Sequence, residues 1–433
     1  MTMRVLTSEL GHHAGEGVSL SGWVHRVREL PAVTFVVLRD RSGLAQLVLR
    51  EPTRREQVRR LAEETVVTAR GAAVANPAAP GGVEVVDPVV DVLGPAQPPP
   101  VELWRPALSV SLPTLLDHAA VTLRHPARAA VFRMAAASVA GFRATLDAAG
   151  FTEVTTPKIV AAATESGATV FGLDYFGRPA FLAQSPQFYK QMMVGVFERV
   201  YETGPVFRAE PHDTARHLAS YTSLDAELGF IDDHRDVLVV LRDVVAGMLD
   251  WIRTRVADYE RALAEPLPDV PAEMPSLHFA DAQRLIAEGT GVDPSGEPDL
   301  SPAHERWLGE WARREHGSDF VVVTGYPMAK RPFYTHPQPG RPEYSNSFDL
   351  LFRGLELVTG GQRLHRYADY LAALAARGES PEPYAGYLEA FRHGMPPHGG
   401  FAIGLERWVA RLTGASNVRE VTLFPRDLQR LSP

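Results

Sequence analysis

The chain has 433 residues, 45% of them apolar and 22% charged, which is enough for two or three domains and a large core and rules out a disordered or fibrous chain. With no cysteine it can hold no disulfide, thiolate metal site, iron–sulfur cluster or cysteine nucleophile. The net charge of -8 argues against binding nucleic acid by bulk electrostatics, yet residues 1–100 carry eleven arginines against eleven acids, so the acidity lies in the remainder.

The N-terminus MTMRVLTSELGHH lacks an apolar leader run, and no later stretch approaches the about 18 consecutive apolar residues of a membrane span. A cytoplasmic protein with no membrane partner is expected. From Gly17 the pattern is short and alternating: GVSLSGWVHRV, VTFVVLRD, LAQLVLR, a helical PTRREQVRRLAEE, then TVVTARGAAVA and GVEVVDPVVDVL. Three strands, a helix and two strands within about 90 residues predict a five-stranded OB barrel, a fold that offers one face to oligonucleotides. The proline-rich PAQPPP places a boundary near residue 100, and residues 101–126 read as an irregular hinge or linker.

From Ala127 to Ala149 apolar residues fall at helical spacing, with Gly150 as the stop. Beyond it extended runs and helices alternate irregularly: FTEVTTPKIV, AFLAQ, VYETGPVFRAE, SLDAELGFI, and a long helix from His234 to about residue 263. This predicts an α+β domain over 127–433, an antiparallel sheet flanked by helices. There is no GxxxxGK[ST] loop, GxGxxG turn, HExxH or GxSxG, so phosphate chemistry would need another cradle.

Three constellations carry chemistry. Arg208 and Glu210 end one extended run, and Asp225 and Glu227 lie in the next, with Arg216 and His217 on the loop between. At period two each pair shares a face, which would gather a guanidinium fork and three carboxylates, although a solvated strand face gives the same pattern. In FDLLFRGLELV a two-residue turn at Arg353-Gly354 sets Leu351 opposite Glu356, so Asp349 and Glu356 share one side at about 7 to 8 Å. Such a pair suits Mg²⁺ bridging nucleotide phosphates, or is simply an exposed acidic face. Finally, Gly404-Leu405-Glu406-Arg407 opens a helix with an arginine opposing the helix dipole, which a phosphate would offset.

FTEVTTPKI, FRAE with its loop to LDAELGF, and GLER, in that order, resemble motifs 1, 2 and 3 of the class II aminoacyl-tRNA synthetases. QSPQFYKQ and FDLLFRGLELVTGGQRLH are similar to the archaeal-type aspartyl-tRNA synthetases within that class. The chain departs from the family pattern at Pro211, Ser220, Thr359 and Arg366.

The resemblance implies activation of L-aspartate by ATP with Mg²⁺ and transfer to the 3′-OH of tRNA(Asp), and of tRNA(Asn) as well. It implies a homodimer. ATP would be held by Arg208, Glu210, Arg216, His217, Leu218, Tyr221, Glu356, Gly404 and Arg407, with Arg208 and Arg407 as the catalytic cations. Aspartate would be held by Glu165, Ser185, Gln187, Lys190, Arg208, Asp225, Thr359 and Arg363. Asp349, Glu356 and Thr359 would hold the metal. A Lys190–Arg363 clamp would be left with uncompensated positive charge if asparagine entered. His25, Pro77 and Pro80 would make the anticodon pocket of the OB domain, residues 1–100, tolerant of either pyrimidine. The competing readings are an asparagine-specific ligase, and a synthetase-like paralogue activating aspartate for a non-tRNA acceptor.

Overall fold

The computed structural model describes residues 4–161, 170–209, 211, 213–255, 257 and 259–432. The chain divides into two compact units, Met1–Pro126 and Ala127–Pro433.

In the first unit β1 (Gly17–Glu29), β2 (Thr34–Arg39), β3 (Leu44–Leu49), β4 (Val66–Ala75) and β5 (Val83–Gly94) close a barrel in the order β1-β2-β3-β5-β4. Its interior is filled by the inward set of each strand, among them Leu20, Val36, Leu38, Leu47, Val67 and Val85. Helix α1 (Pro52–Arg59) is shorter than the apolar pattern suggested. Glu51 caps it by accepting from the Thr53 and Arg54 amides, and it ends at Arg60 before LAEE. Residues 101–126 are more ordered than the irregular linker expected. They contain α2 (Leu112–Asp117) and α3 (Ala119–Thr122), and Val101, Leu103 and Leu116 are buried.

The second unit begins with α4 (Pro126–Ala148), which ends before Gly150 at φ +78°. Two short strands, β6 (Thr152–Glu153) and β7 (Ile159–Val160), stand where one long extended run was expected. Then come β8 (Gly172–Tyr175), β9 (Arg178–Leu182), α5 (Gln187–Phe197), β10 (Arg199–Phe207), β11 (Ser220–Gly229) and α6 (His234–Arg253), the last ending about ten residues, somewhat under three turns, short of its apolar pattern. Next are β12 (Ser276–His278), α7 (Phe279–Thr290), α8 (Pro302–His316), β13 (Phe320–Thr324), β14 (Pro337–Gln338), β15 (Arg341–Ser345), β16 (Ser347–Phe352) and β17 (Leu355–Gln362). α9 (Tyr367–Ala376), α10 (Ala385–Arg392), β18 (His398–Gly404) and α11 (Leu405–Thr413) complete it.

Eight strands form one sheet, ordered β12-β13-β16-β17-β18-β11-β10-β6. The six central strands are antiparallel, as expected, but an outer strand joins each edge in parallel, β12 on β13 and β6 on β10. One face carries Leu224, Ala226, Leu350, Phe352, Phe401 and Ile403 into the main core against α4, α6 and α11. The alternate residues of the same strands face the other way, and these build the site.

Candidate active site

A single cross-strand row organises the open face. Asp225 pairs with Ala402, Ala402 with Thr359, and Thr359 with Asp349. Above this row lies a cavity of about 260 Å³ whose lining includes Arg208, Arg216, His217, Leu218, Tyr221, Glu356, Thr359, Gly404 and Arg407. The structure thus brings together nearly all the residues assigned to ATP. The exception is Glu210, which, like Glu165, lies outside the described residues. Strand β10 ends at Phe207, so Arg208 stands just beyond it and not within an extended run; its guanidinium carbon is 5.5 Å from the Tyr221 ring centroid.

Each cation of the cavity is aimed by a partner. Arg407 Nη1 donates to the Glu356 carbonyl at 3.1 Å and lies 3.4 Å from Glu356 Oε1. Arg216 Nη2 donates to Glu305 Oε2 at 2.9 Å, and His217 Nδ1 is 2.6 Å from Thr214 Oγ1. Glu305 escaped sequence reasoning: it lies in α8, far along the chain, and its buried carboxylate also accepts from the Glu356 amide at 2.8 Å. Glu406 was missed too. It is buried on the cavity wall and accepts the Thr222 amide at 3.0 and 3.1 Å; burial pushes its carboxyl up to about 7.

The β16–β17 hairpin turns at Arg353-Gly354 and pairs Leu351 with Glu356, the expected register. A bulge then shifts the ladder, so that Asp349 faces Thr359 instead of Val358. Glu356 and Thr359 therefore both reach the open face, and Thr359 Oγ1 donates to Glu356 Oε1 at 3.3 Å. Burial, with Glu356 nearby, pushes the Asp349 carboxyl up to about 6 against the pull of Arg331, whose Nη2 donates to Asp349 Oδ1 at 3.1 Å. Among the described residues no three metal-ligating side chains converge. Two mutually repelling carboxylates beside a hydroxyl fit a cation that takes its remaining ligands from phosphate and water.

Next to the cavity is a buried ionic cluster. Lys190, 1% exposed, lies with Nζ 3.0 Å from Asp225 Oδ1 and 3.3 Å from Glu227 Oε2. Arg363 Nε donates to Glu227 Oε1 at 3.0 Å, and its Nη2 is 3.5 Å from Gln187 Oε1. Burial opposes ionisation of Glu227, but Arg363 and Lys190 outweigh it and hold the carboxyl below its usual range. Ser185 Oγ accepts the Gln187 amide at 3.3 Å. Gly400 makes room for this cluster, because a Cβ there would come within 2.1 Å of Glu227 Oε2. Without a ligand the cluster is balanced, because Asp225 and Glu227 neutralise Lys190 and Arg363; a surplus of positive charge arises only when a ligand's ammonium takes up one of these carboxylates.

In the barrel His25 is not on an open surface. It occupies a bulge between Val24 and Arg26, is 6% exposed, and lies 3.4 Å from Arg39. Arg39 forms a two-pronged pair with Glu64 at 2.8 and 2.9 Å, which Arg124 also joins at 3.1 Å. Burial, aided by Arg39, pushes the His25 imidazole down to about 4, so it is neutral. Pro77 and Pro80 are exposed. The outer face also presents Arg28 stacked on Phe35 at 5.0 Å, and Gln46 and Asn76 donating to Glu84 at 3.0 and 2.7 Å. The alternation of β2 and β3 carries that signal, but only the register joins the strands.

An OB barrel and a helix-flanked sheet bearing an arginine-lined pocket are the parts of an enzyme that handles a nucleotide and a nucleic acid. Residues 111–428 match the family model of the class II tRNA synthetases (D, K and N), and residues 18–93 match that of the OB-fold nucleic acid binding domain. The chain belongs to the class II tRNA synthetases of the D, K and N group. It is 47% identical to Aspartate--tRNA(Asp/Asn) ligase of Thermus thermophilus, covering 100% of both chains. It is 46% identical to the protein of the same name from Deinococcus radiodurans, over 99% of each. Among solved structures, asparaginyl-tRNA synthetase from Pyrococcus horikoshii complexed with asparaginyl-adenylate superposes with a TM-score of 0.92 at 30% identity, over 100% of both chains.

Proposed function

We propose that the chain joins L-aspartate to ATP as aspartyl adenylate and passes it to the 3′-OH of tRNA(Asp) and tRNA(Asn). The observation that carries the amino-acid choice is the ionic cluster beside the nucleotide cavity. Counting the ligand's ammonium, Lys190, Arg363 and that ammonium bring three positive charges, against Asp225, Glu227 and the ligand's side-chain carboxylate. Aspartate closes this balance, whereas asparagine leaves one buried positive charge without a partner. In this reading the partners exchange: the ligand ammonium takes Asp225, and Lys190, which lies 3.0 Å from Asp225 Oδ1, turns to the side-chain carboxylate. The name of the Thermus relative supports the same choice.

In the first step the α-carboxylate attacks the α-phosphorus in line and pyrophosphate leaves. Arg208 faces the α-phosphate and the amino-acid carboxylate, Tyr221 stacks on adenine, and His217 and Arg407 hold the γ-phosphate. Arg216, braced by Glu305, serves the same phosphates. Asp349, Glu356 and Thr359 would hold Mg²⁺, which supplies charge neutralisation on the phosphates when bound.

We assign base reading to the barrel, residues 1–100, and catalysis to 127–433, with 101–126 as the connection. Phe35 offers a stacking face, and the amides of Gln46 and Asn76, both held by the buried Glu84, offer their remaining hydrogen-bonding capacity to base edges. His25 acts there by shaping the bulge and not by touching a base. The assembly is a homodimer: an apolar groove between α4 (Phe132, Ala135, Val139) and Leu423-Phe424 suits a second copy. Among the described residues no helix is long and apolar enough to cross a membrane, and we place the enzyme in the cytoplasm.

Aspartate-dependent ATP–pyrophosphate exchange tests the amino-acid choice. Exchange with aspartate and none with asparagine is expected; equal exchange with both would overturn it.

A further inference from the structure

Asp349, one of the two carboxylates assigned to Mg²⁺, already carries a cation. Arg331 follows the 3₁₀ turn Met328–Lys330, and its guanidinium sits between Asp349 and the ring of Tyr326, 4.2 Å from the ring centroid. Tyr326 is itself buried. Arg377 Nη2 donates to the Arg331 carbonyl and pins the backbone from the other side. The preceding Lys330 is exposed, so the inward turn belongs to position 331 and not to the whole segment. A guanidinium keeps its charge, is weakly hydrated and stacks on aromatic rings, which suits it to a buried counter-ion. Arg331 Nε is buried without a hydrogen-bond partner among the described residues, so part of its donor capacity is uncommitted.

The charge count gives this placement a consequence. Asp349 and Glu356 together carry two negative charges, and Arg331 on the first and Arg407 on the second cancel them. A bare divalent cation would meet a neutral group guarded by two guanidiniums. ATP changes the balance, because its phosphates bring negative charge to Arg407 and supply most of the metal's ligands. We propose that Arg331 is a positioning residue and the resident counter-ion of the metal site. It holds Asp349 aimed into the site before nucleotide arrives, and it bars free Mg²⁺, so that the metal enters with the ATP phosphates. This inference rests on the reading of Asp349 and Glu356 as metal ligands.

The test counts bound metal and not turnover. Mn²⁺ is titrated into the full chain and free ion is followed by electron paramagnetic resonance. The titration is run with and without an α,β-methylene ATP analogue, corrected for ion held by the analogue alone. Wild type is expected to bind Mn²⁺ about 30-fold more weakly without the analogue. Arg331→Met is expected to tighten nucleotide-free binding by about tenfold or more, because one like charge at contact range is gone. Arg331→Lys keeps the charge and should stay near wild type. Wild-type binding within about threefold with and without analogue would overturn the proposal, as would Arg331→Met binding no tighter than wild type at an unchanged melting temperature. If Arg331→Met does not fold, the wild-type and Arg331→Lys titrations decide. Asp349→Ala tests the underlying reading separately: full analogue-dependent Mn²⁺ binding in that variant would remove Asp349 from the metal site, whatever Arg331 does.

Discussion

Replacing Lys190 with Met removes the ammonium at the centre of the buried cluster while roughly keeping side-chain volume. The lost contacts are Asp225 at 3.0 Å, Glu227 at 3.3 Å and the Phe401 carbonyl at 3.1 Å. Glu227 then keeps Arg363, while Asp225 is left with the Ser223 hydroxyl as its donor, in a place water does not reach. Breaking a buried ion pair from one side destabilises by about 3–5 kcal/mol. For substrate, a lost hydrogen bond between charged groups is worth about 1.5–3 kcal/mol, or roughly 10- to 150-fold in kcat/KM for aspartate. The two effects separate in the double variant Lys190→Met, Asp225→Asn. Removing the surplus carboxylate should restore part of the melting temperature, while aspartate-dependent exchange stays as low or falls further because the ammonium's partner is gone. Calorimetric melting and ATP–pyrophosphate exchange across aspartate concentrations read the two effects, with the KM for ATP within about twofold of wild type. Unchanged kcat/KM for aspartate in Lys190→Met, or a double variant no more stable than the single one, would refute the reasoning.

Asp349→Asn should lower aspartate-dependent exchange by about 100-fold or more, since it removes a metal charge and leaves Arg331 without its counter-ion; near-normal exchange would take Asp349 out of the site. Glu406 gives a pH effect. Its folded pKa of about 7 lies above the ordinary 4.5, so its favourable contribution is whole below pH 4.5 and is lost as pH rises through 7. Glu406→Gln should therefore gain up to about 3 kcal/mol over wild type at pH 8 and little at pH 5, measured by melting at both. Light scattering should give twice the 47.4 kDa of one chain, and Val139→Glu in the apolar groove should shift the mass toward a single chain; a wild-type monomer at micromolar concentration would count against that interface.

Much of this was legible in the sequence because local pattern and global fold agree. Alternation and turn residues marked the barrel strands, and the Arg353-Gly354 turn set the pairing of Leu351 with Glu356. The bulge that brings Thr359 opposite Asp349 was not legible, since an extra residue in one strand leaves no mark in composition. Glu305 and Arg331 were hidden for another reason: each reaches the site from an element whose position is fixed only by tertiary packing. Lys190 and Arg363 were recognisable as cations of the site. Their neutralisation depends on β11 turning Asp225 and Glu227 onto the same face, together with the space left by Gly400. His25 alternates as an outward strand residue would, yet it is buried beside Arg39 and close enough to feel Glu64 and His125, a covering that strand alternation does not reveal.

Which tRNAs receive aspartate decides the assignment. The anticodons GUC and GUU differ only at their last base, and the barrel has a stacking ring and a polar group on its outer face with which to meet either pyrimidine. Purified chain, labelled aspartate and separate transcripts of tRNA(Asp) and tRNA(Asn) give the measurement. Both should be aspartylated with kcat/KM within about an order of magnitude, about 1.4 kcal/mol of discrimination, and labelled asparagine should be transferred to neither. Transfer of asparagine, or rejection of tRNA(Asn) by a factor of about a thousand, would contradict the assignment.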